Sequence, residues 1–177
     1  MNIPIADVFT NEEKEPVLEK IKTVRYERLK RIEKSEDVAQ IMRDVFGMDK
    51  QIAEIVYLIS LDNKNMPLGF FFLNKGLVNC SQVDIRGIFI RLLLSNAAQF
   101  ILVHNHTSGS PLPSSEDMVI TDRIKGLSAV MGIRFTDHII IGDNQYFSFR
   151  ELLWSKDKAG VNAEKNNESE ELLCLQD

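Results

Sequence analysis

Long apolar runs are missing from these 177 residues. The longest, residues 85–94, is broken by Arg86 and Arg91 and falls well short of the roughly 20 residues that cross a bilayer as a helix, so no membrane partner is expected. The opening Met1-Asn2-Ile3-Pro4-Ile5 has neither a basic n-region nor an apolar h-region; no secretory signal is read there, and a cytoplasmic location is the expectation. Cysteine is nearly absent. Cys80 and Cys174 lie far apart and in no C-x-x-C pair, which argues against a disulfide framework and a zinc knuckle. A strong charge of one sign is lacking too: the net charge is −5. Residues 156–177 hold three lysines against six acids, whereas residues 14–34 hold eight basic residues against four acidic ones. That basic stretch is the one electrostatic footprint for nucleic acid or an acidic partner, and a solvated surface is the simpler reading. No internal repeat is present, and the length suits one domain with short appendages.

Histidine is equally scarce, and its placement is informative. His104, His106 and His138 are the three. The first two open the run His104-Asn105-His106-Thr107-Ser108-Gly109; seven intervening residues then separate His106 from Ser114, and two more separate Ser114 from Asp117. A strand puts side chains i and i+2 on one side, so His104 and His106 can face one ion. Asp117 adds a hard oxygen ligand from the start of the next element. Two imidazoles and one carboxylate leave a tetrahedral zinc ion, Zn2+, with an open position for water, the pattern of a catalytic rather than a structural site.

The pattern around this run predicts alternating elements. Residues 11–22 read as a short charged helix and residues 23–32 as an alternating strand. Ser35 reads as an N-cap for a helix carrying Val38, Ile41, Met42, Val45 and Phe46, stopped by Gly47. Residues 54–61 and 68–73 read as a hairpin around the turn residues 62–65. Residues 83–98 follow as a helix, 100–103 as a buried strand that delivers the histidines, 105–114 as a Ser-, Gly- and Pro-rich site loop, 115–131 as a helix, 133–141 as a strand and 149–154 as a closing helical turn. The expected organisation is an N-terminal helical and strand extension over 1–47, a metal-binding domain over 48–155 and an acidic, disordered tail over 156–177. Strands alternating with helices through the site imply an α/β fold, a mixed β-sheet flanked by helices.

The run H-N-H-T-S-G-S-P-L-P-S-S-E-D resembles the JAMM (JAB/MPN) metalloprotease motif, H-x-H-x7-S-x2-D. The H-N-H-x-S-G core, the P-S-x-x-D ending and the downstream Asp137-His138-Ile139-Ile140-Ile141-Gly142 narrow the likeness to the RadC-like branch, over roughly residues 48–154. The resemblance implies the JAB/MPN, cytidine-deaminase-like sandwich, with His104, His106 and Asp117 as metal ligands. It also implies a glutamate on an early strand as general acid/base, which falls on Glu54 in E-I-V-Y-L-I-S-L-D; Glu27 and Glu33 are the fallbacks. In the implied reaction Glu54 takes a proton from a metal-activated water, Ser114 supports the oxyanion, and Glu54 returns the proton to a leaving amine. Asn105 and Ser108 are expected to hold the loop by side-chain to backbone hydrogen bonds, and His138 to play a structural role or to contact a ligand from behind. Ser114 and Asp117 also suit capping of the following helix, which is compatible with ligation.

Two positions depart from the family pattern: Thr107 stands where proline is usual, and Arg86-Gly87 where Arg-Glu is usual. Neither touches the ligand set; both bear on how substrate is handled. An HNH nuclease spreads its three residues over a ββα unit, and a zinc nucleoside deaminase needs H-x-E with P-C-x-x-C; neither pattern occurs here. The reading is therefore a JAMM-type zinc hydrolase acting on a peptide or isopeptide bond. The alternative is a catalytically silent metal-binding module with a role in DNA repair or protein assembly. Full-length relatives carry an N-terminal helix-hairpin-helix region suited to DNA, and residues 1–47 contain no such hairpin signature.

Overall fold

The computed structural model describes residues 1–76 and 83–154; Cys80, Cys174 and the tail expected over 156–177 lie outside the described residues. The elements run β1 (Asn2–Thr10), β2 (Pro16–Arg25), α1 (Ser35–Asp44), β3 (Ile55–Leu61), β4 (Pro67–Lys75), α2 (Ile85–Leu94), β5 (Gln99–Asn105), α3 (Ser115–Met131), β6 (Arg134–Ile141) and β7 (Tyr146–Ser148), closed by a wide helical turn at Arg150–Trp154. The seven strands form one mixed sheet in the order β2-β1-β4-β3-β5-β6-β7. The β1/β4 and β5/β6 pairs are parallel and the rest antiparallel. This is the α/β sandwich expected from the alternation.

Side chains alternate between the two sheet faces, and each face builds its own core. Ile59 and Leu61 of β3, Phe70 of β4, Ile101 and Val103 of β5, and Ile139 and Ile141 of β6 pack with Val38, Ala39, Ile41 and Met42 of α1. Val56 and Leu58, Phe71, and Phe100 and Leu102 point the other way, onto Ile88, Phe89 and Leu92 of α2 and Ile120 and Ile124 of α3. Strand β5 is buried along its whole length, as a central strand covered on both faces should be. Its even-numbered residues face α2 and α3, so His104 emerges on that face and Asn105 on the α1 face.

Three local expectations are corrected. Residues 11–22 are not a helix: β1 and β2 form a hairpin around a turn in which Lys14 takes a positive φ of 63°. Pro16 would sit inside such a helix, where it removes a hydrogen bond and clashes with the preceding turn. Residues 26–34 are irregular, with Tyr26 and Ile32 turned into the α1-side core. Ser35 is the first residue of α1 rather than its cap. The Asp37 carboxylate accepts from the backbone N–H groups of Glu33 (2.9 Å) and Lys34 (3.0 Å), and the Ser35 hydroxyl is directed instead to the buried Asp137 carboxylate at 2.7 Å. A carboxylate that is 1% exposed needs every donor within reach. Ser148 (2.7 Å) and the backbone N–H of Arg150 (3.0 Å) supply two more.

Helix α1 lies ahead of residue 48, yet it packs on the same sheet as the elements that follow. Among the described residues no helix is long and apolar enough to cross a membrane.

Candidate metal centre

The site lies where β5 ends and α3 begins. His104 is inside β5 and His106 is just past its end. The turn between them and α3 is fixed by backbone bonds: His106 N–H to Ile141 O (3.0 Å), Gly109 N–H to His106 O (3.2 Å) and Asp143 N–H to Gly109 O (2.8 Å). Gly109 takes a φ of +79°, a conformation that costs glycine little and other residues more. Ser114 caps α3. Its Oγ accepts from the Asp117 N–H at 3.2 Å and donates to Asp117 Oδ2 at 2.6 Å, and Oδ2 in turn accepts from the Ser114 N–H at 2.8 Å. That reciprocal capping box holds the Asp117 carboxylate at the helix N-terminus, facing back toward β5.

The three expected ligands therefore meet. His104 Nε2 lies 3.0 Å from His106 Nε2 and 3.2 Å from Asp117 Oδ1, and His106 Nε2 lies 3.3 Å from Asp117 Oδ2. Bonds of about 2.0–2.1 Å at a tetrahedral angle place donor atoms roughly 3.3–3.4 Å apart, close to the separations found here. Two imidazole nitrogens gathered in this way on one carboxylate could hold a metal ion. Their surroundings suit the task. His104 and Asp117 are each 2% exposed, whereas His106 is only partly buried, so the group opens to solvent on the His106 side.

The electrostatics follow from the contacts. Burial disfavours a charged Asp117, but His104 and His106 against its two oxygens and the Ser114 hydroxyl outweigh it and hold this carboxyl well below the usual carboxylate range. The Asp117 carboxylate raises the pKa of His106 against the effect of burial, with the Ser110 carbonyl, accepting from His106 Nδ1 at 2.9 Å, and then Glu54 adding to the rise. Burial, and after it the neighbouring His104, push His138 far below the ordinary histidine value.

Glu54 stands immediately before β3, whose Val56 is registered opposite His104. It is partly buried and close enough to contribute to the field at His106. Asn105 fixes it there: its Oδ1 accepts from the Ile55 N–H at 2.8 Å and its Nδ2 donates to the Ala53 carbonyl at 3.3 Å, so both peptide neighbours of Glu54 are tied to the residue between the two histidines. Asn105 thus braces the glutamate rather than the loop. Ser108 is exposed, and the bonds that hold the loop come from His106, Gly109, Ser110 and Asp143. Glu27 and Glu33 are paired with Arg25 (3.2 Å) and Arg31 (2.7 Å).

His138 lies behind His104, with Nε2 at 2.9 Å from His104 Nδ1. Its other nitrogen, Nδ1, is 2.6 Å from the hydroxyl of Thr121. Thr121 was not among the residues expected at the site. The available signal was its place one helical turn after Asp117, as a polar residue on the buried stripe of α3 between Ile120 and Ile124.

Of the two departures, Gly87 lies near the start of α2, three residues after the N-cap Asp84, whose carboxylate accepts from the Gly87 N–H at 2.9 Å. A Cβ there would collide with that carboxylate. Thr107 is exposed on the loop.

Comparison with known proteins agrees with this geometry. A family model described as the RadC-like JAB domain matches residues 32–154, a span that takes in α1 as well as the site. The chain is 42% identical over 121 residues to a UPF0758 protein of Clostridium perfringens, covering 68% of this chain and 52% of that one. It is 45% identical over 98 residues to a UPF0758 protein of Pelobacter propionicus, covering 55% and 43%, and 38% identical over 121 residues to one of Desulfitobacterium hafniense, covering 68% and 52%. The chain spans about half the length of the curated relatives it matches.

Proposed function

The chain belongs to the RadC-like JAB domain family, and we propose that it is a zinc-dependent hydrolase of amide bonds, cleaving a peptide or isopeptide substrate. The observation that carries this reading is the convergence of His104 Nε2 and His106 Nε2, 3.0 Å apart, on the two oxygens of the Asp117 carboxylate, at 3.2 Å to Oδ1 and 3.3 Å to Oδ2, in a group open on one side. A donor set of two imidazoles and one carboxylate suits zinc, and zinc so held supplies a Lewis acid that acidifies water and polarises a carbonyl.

The protein's own residues do the rest. Glu54, braced through Asn105 at the His106 side, takes the proton of the attacking water and passes it to the departing amine. His104 and Asp117, buried behind the open position, keep it dry on the protein side, where hydrogen bonds are stronger than in water. Ser114 gives its hydroxyl proton to Asp117 at 2.6 Å; to serve a developing oxyanion it must turn that proton outward, which Asp117 tolerates by keeping the Ser114 N–H.

That arrangement of Ser114 also favours the second reading, a metal-binding module that hydrolyses nothing and serves DNA repair or protein assembly. Direct nucleic-acid binding has less support. In the basic stretch, Arg25, Arg28, Arg31 and Lys34 are each paired with an acid, Glu27, Asp44, Glu33 and Glu36, which leaves less free positive charge to displace counterions.

Metal analysis of the purified protein beside His104→Ala and His106→Ala tests the centre. Stoichiometric zinc in the wild type and its loss in both variants is the expected result, and a wild type that holds no metal refutes the reading. A panel of peptide and isopeptide substrates then separates the two functions: Glu54→Gln should keep zinc and lose turnover. A zinc-loaded wild type that cleaves nothing in the panel leaves the silent module as the better account.

A further inference from the structure

We propose that His138 and Thr121 form a hydrogen-bond relay that sets which nitrogen of His104 carries its proton, and so aims the His104 Nε2 lone pair into the metal centre. The inference rests on the metal-site reading above, and it gives the histidine of the D-H pair of β6 a defined task there.

The direction of the relay follows from counting protons. A threonine hydroxyl has one proton to donate. Thr121 gives it to the Asp117 carbonyl one turn earlier in α3, at 2.5 Å, a bond that threonine makes readily within a helix. Toward His138, 2.6 Å away, the Thr121 oxygen can therefore only accept, so the proton of His138 sits on Nδ1. His138 is 1% exposed and stacks on Phe149 with ring centroids 5.0 Å apart and planes at 12°. Its two nitrogens face only Thr121 and His104, with no carboxylate bonded to either to hold a second proton. Its Nε2 is then an acceptor, and across 2.9 Å it takes the proton of His104 Nδ1. His104 is left with a bare Nε2 facing Asp117 and His106.

His106 reaches the same state by a simpler route, since its Nδ1 donates to the Ser110 carbonyl at 2.9 Å. Both rings thus present lone pairs to each other, at 3.0 Å, and to a carboxylate. A cation held among them would balance these lone pairs. The relay also closes on itself: it starts at the carbonyl of Asp117 and ends at a histidine whose other nitrogen faces that residue's carboxylate. A single chain of bonds therefore ties β5, β6 and α3 around the centre. His138 and Thr121 touch no substrate; they are positioning residues.

Two substitutions separate orientation from packing. Thr121→Val keeps the shape but cannot accept from His138, whereas Thr121→Ser can. Loss of partners behind a metal-bound histidine weakens metal binding by about 10–100-fold. Zinc affinity, measured by chelator competition, should fall about tenfold or more in Thr121→Val and in His138→Gln, and stay within about twofold in Thr121→Ser. The cobalt-loaded visible spectrum should change in Thr121→Val and not in Thr121→Ser. Nitrogen-15 NMR of the wild type should show His104 and His138 both protonated on Nδ1. Melting of the metal-free variants checks that they fold, and if His138→Gln does not, the threonine pair decides. Wild-type zinc affinity in Thr121→Val, or a proton on Nε2 of His138, overturns the relay. A wild type that binds no zinc refutes the metal reading instead, and the tautomers read on metal-free protein still decide the relay.

Discussion

Replacing Gly142 by alanine should damage the metal centre from outside it. Gly142 directly follows β6 and lies against the loop that carries His106. A Cβ built on it would lie well inside 3.0 Å of the Gly109 carbonyl oxygen and 2.9 Å from both N and Cδ of Pro111. None of these atoms is the end of a flexible side chain. Ordinary contact begins at 3.4 Å, so the loop must retreat by 0.5 Å at Pro111 (3.4 less 2.9) and by more at Gly109. The bonds at risk are Gly109 N–H to His106 O and Asp143 N–H to Gly109 O, the ones that set the height of His106 above β6. Overpacking of this kind costs about 1–3 kcal/mol, small enough for the buried sheet to survive. A shift of about 1 Å in a catalytic group lowers rates by roughly 100-fold. The expected result is a protein that still melts cooperatively, binds zinc at least about tenfold more weakly and hydrolyses substrate more slowly still. Gly126, in the middle of α3, is the control: nothing lies within 4 Å of its added Cβ, so Gly126→Ala should raise stability by about 0.5–1 kcal/mol and leave zinc affinity alone. Full zinc affinity in Gly142→Ala, with an unchanged melting temperature, would refute the claim that the Gly142–Gly109 contact positions the loop.

Asn105→Ala removes both bonds that flank Glu54 and leaves the buried N–H of Ile55 without its acceptor, a cost of about 1–3 kcal/mol. Zinc affinity should change little while turnover falls more than about tenfold, and urea melts with kinetics on one preparation would show whether the two effects separate in that way. Tyr26 gives a pH test remote from the site. Burial, and then the Asp44 carboxylate that accepts its hydroxyl at 2.7 Å, push the Tyr26 pKa up to about 12. An acid raised on folding contributes stability that is complete below its unfolded pKa, about 10 for tyrosine, and is lost as pH rises through the folded value. Tyr26→Phe should therefore be less stable than the wild type at pH 8, with the gap narrowing between pH 10 and 12; a gap of constant size across that range would show that the phenol does not titrate as described.

What could be read from the sequence was what repeats or what is rigidly spaced. Strand β5 and helix α3 were legible because one is a continuous apolar run and the other a long periodic stretch with a Ser-x-x-Asp start. The three candidate ligands were legible because strand periodicity and a helix cap fix their geometry within fourteen residues. The β1–β2 hairpin was not. Its strand pattern is diluted by lysines and glutamates on a strand exposed along most of its length, and only pairing with β1 makes it a strand. The partner of Asn105, and Thr121 altogether, escaped for another reason. Each acts on a residue brought to it by the sheet, Asn105 across β3 and Thr121 across β6, and no local spacing announces a partner that the tertiary fold delivers.

The D-H-I-I-I-G segment shows how a short motif can carry two unrelated duties. Neighbouring residues of a strand face opposite sides of the sheet, so Asp137 and His138 are adjacent in sequence and separated by the full thickness of the backbone. Asp137 looks toward α1 and gathers Ser35, Ser148 and the Arg150 N–H. His138 looks toward α3 and takes up Thr121 and His104. Each is a buried polar group that would destabilise the fold if its partners were absent, and each ties β6 to a different helix. Ile139 and Ile141 then fill the α1-side core, Ile140 packs with Phe147 and Phe149, and Gly142 makes room for the metal loop. The motif is short because a strand covered on both faces has no free positions. Every residue in it answers to a neighbour, and a substitution at one position alters the scaffold at Asp137 or the centre at His138, seldom both.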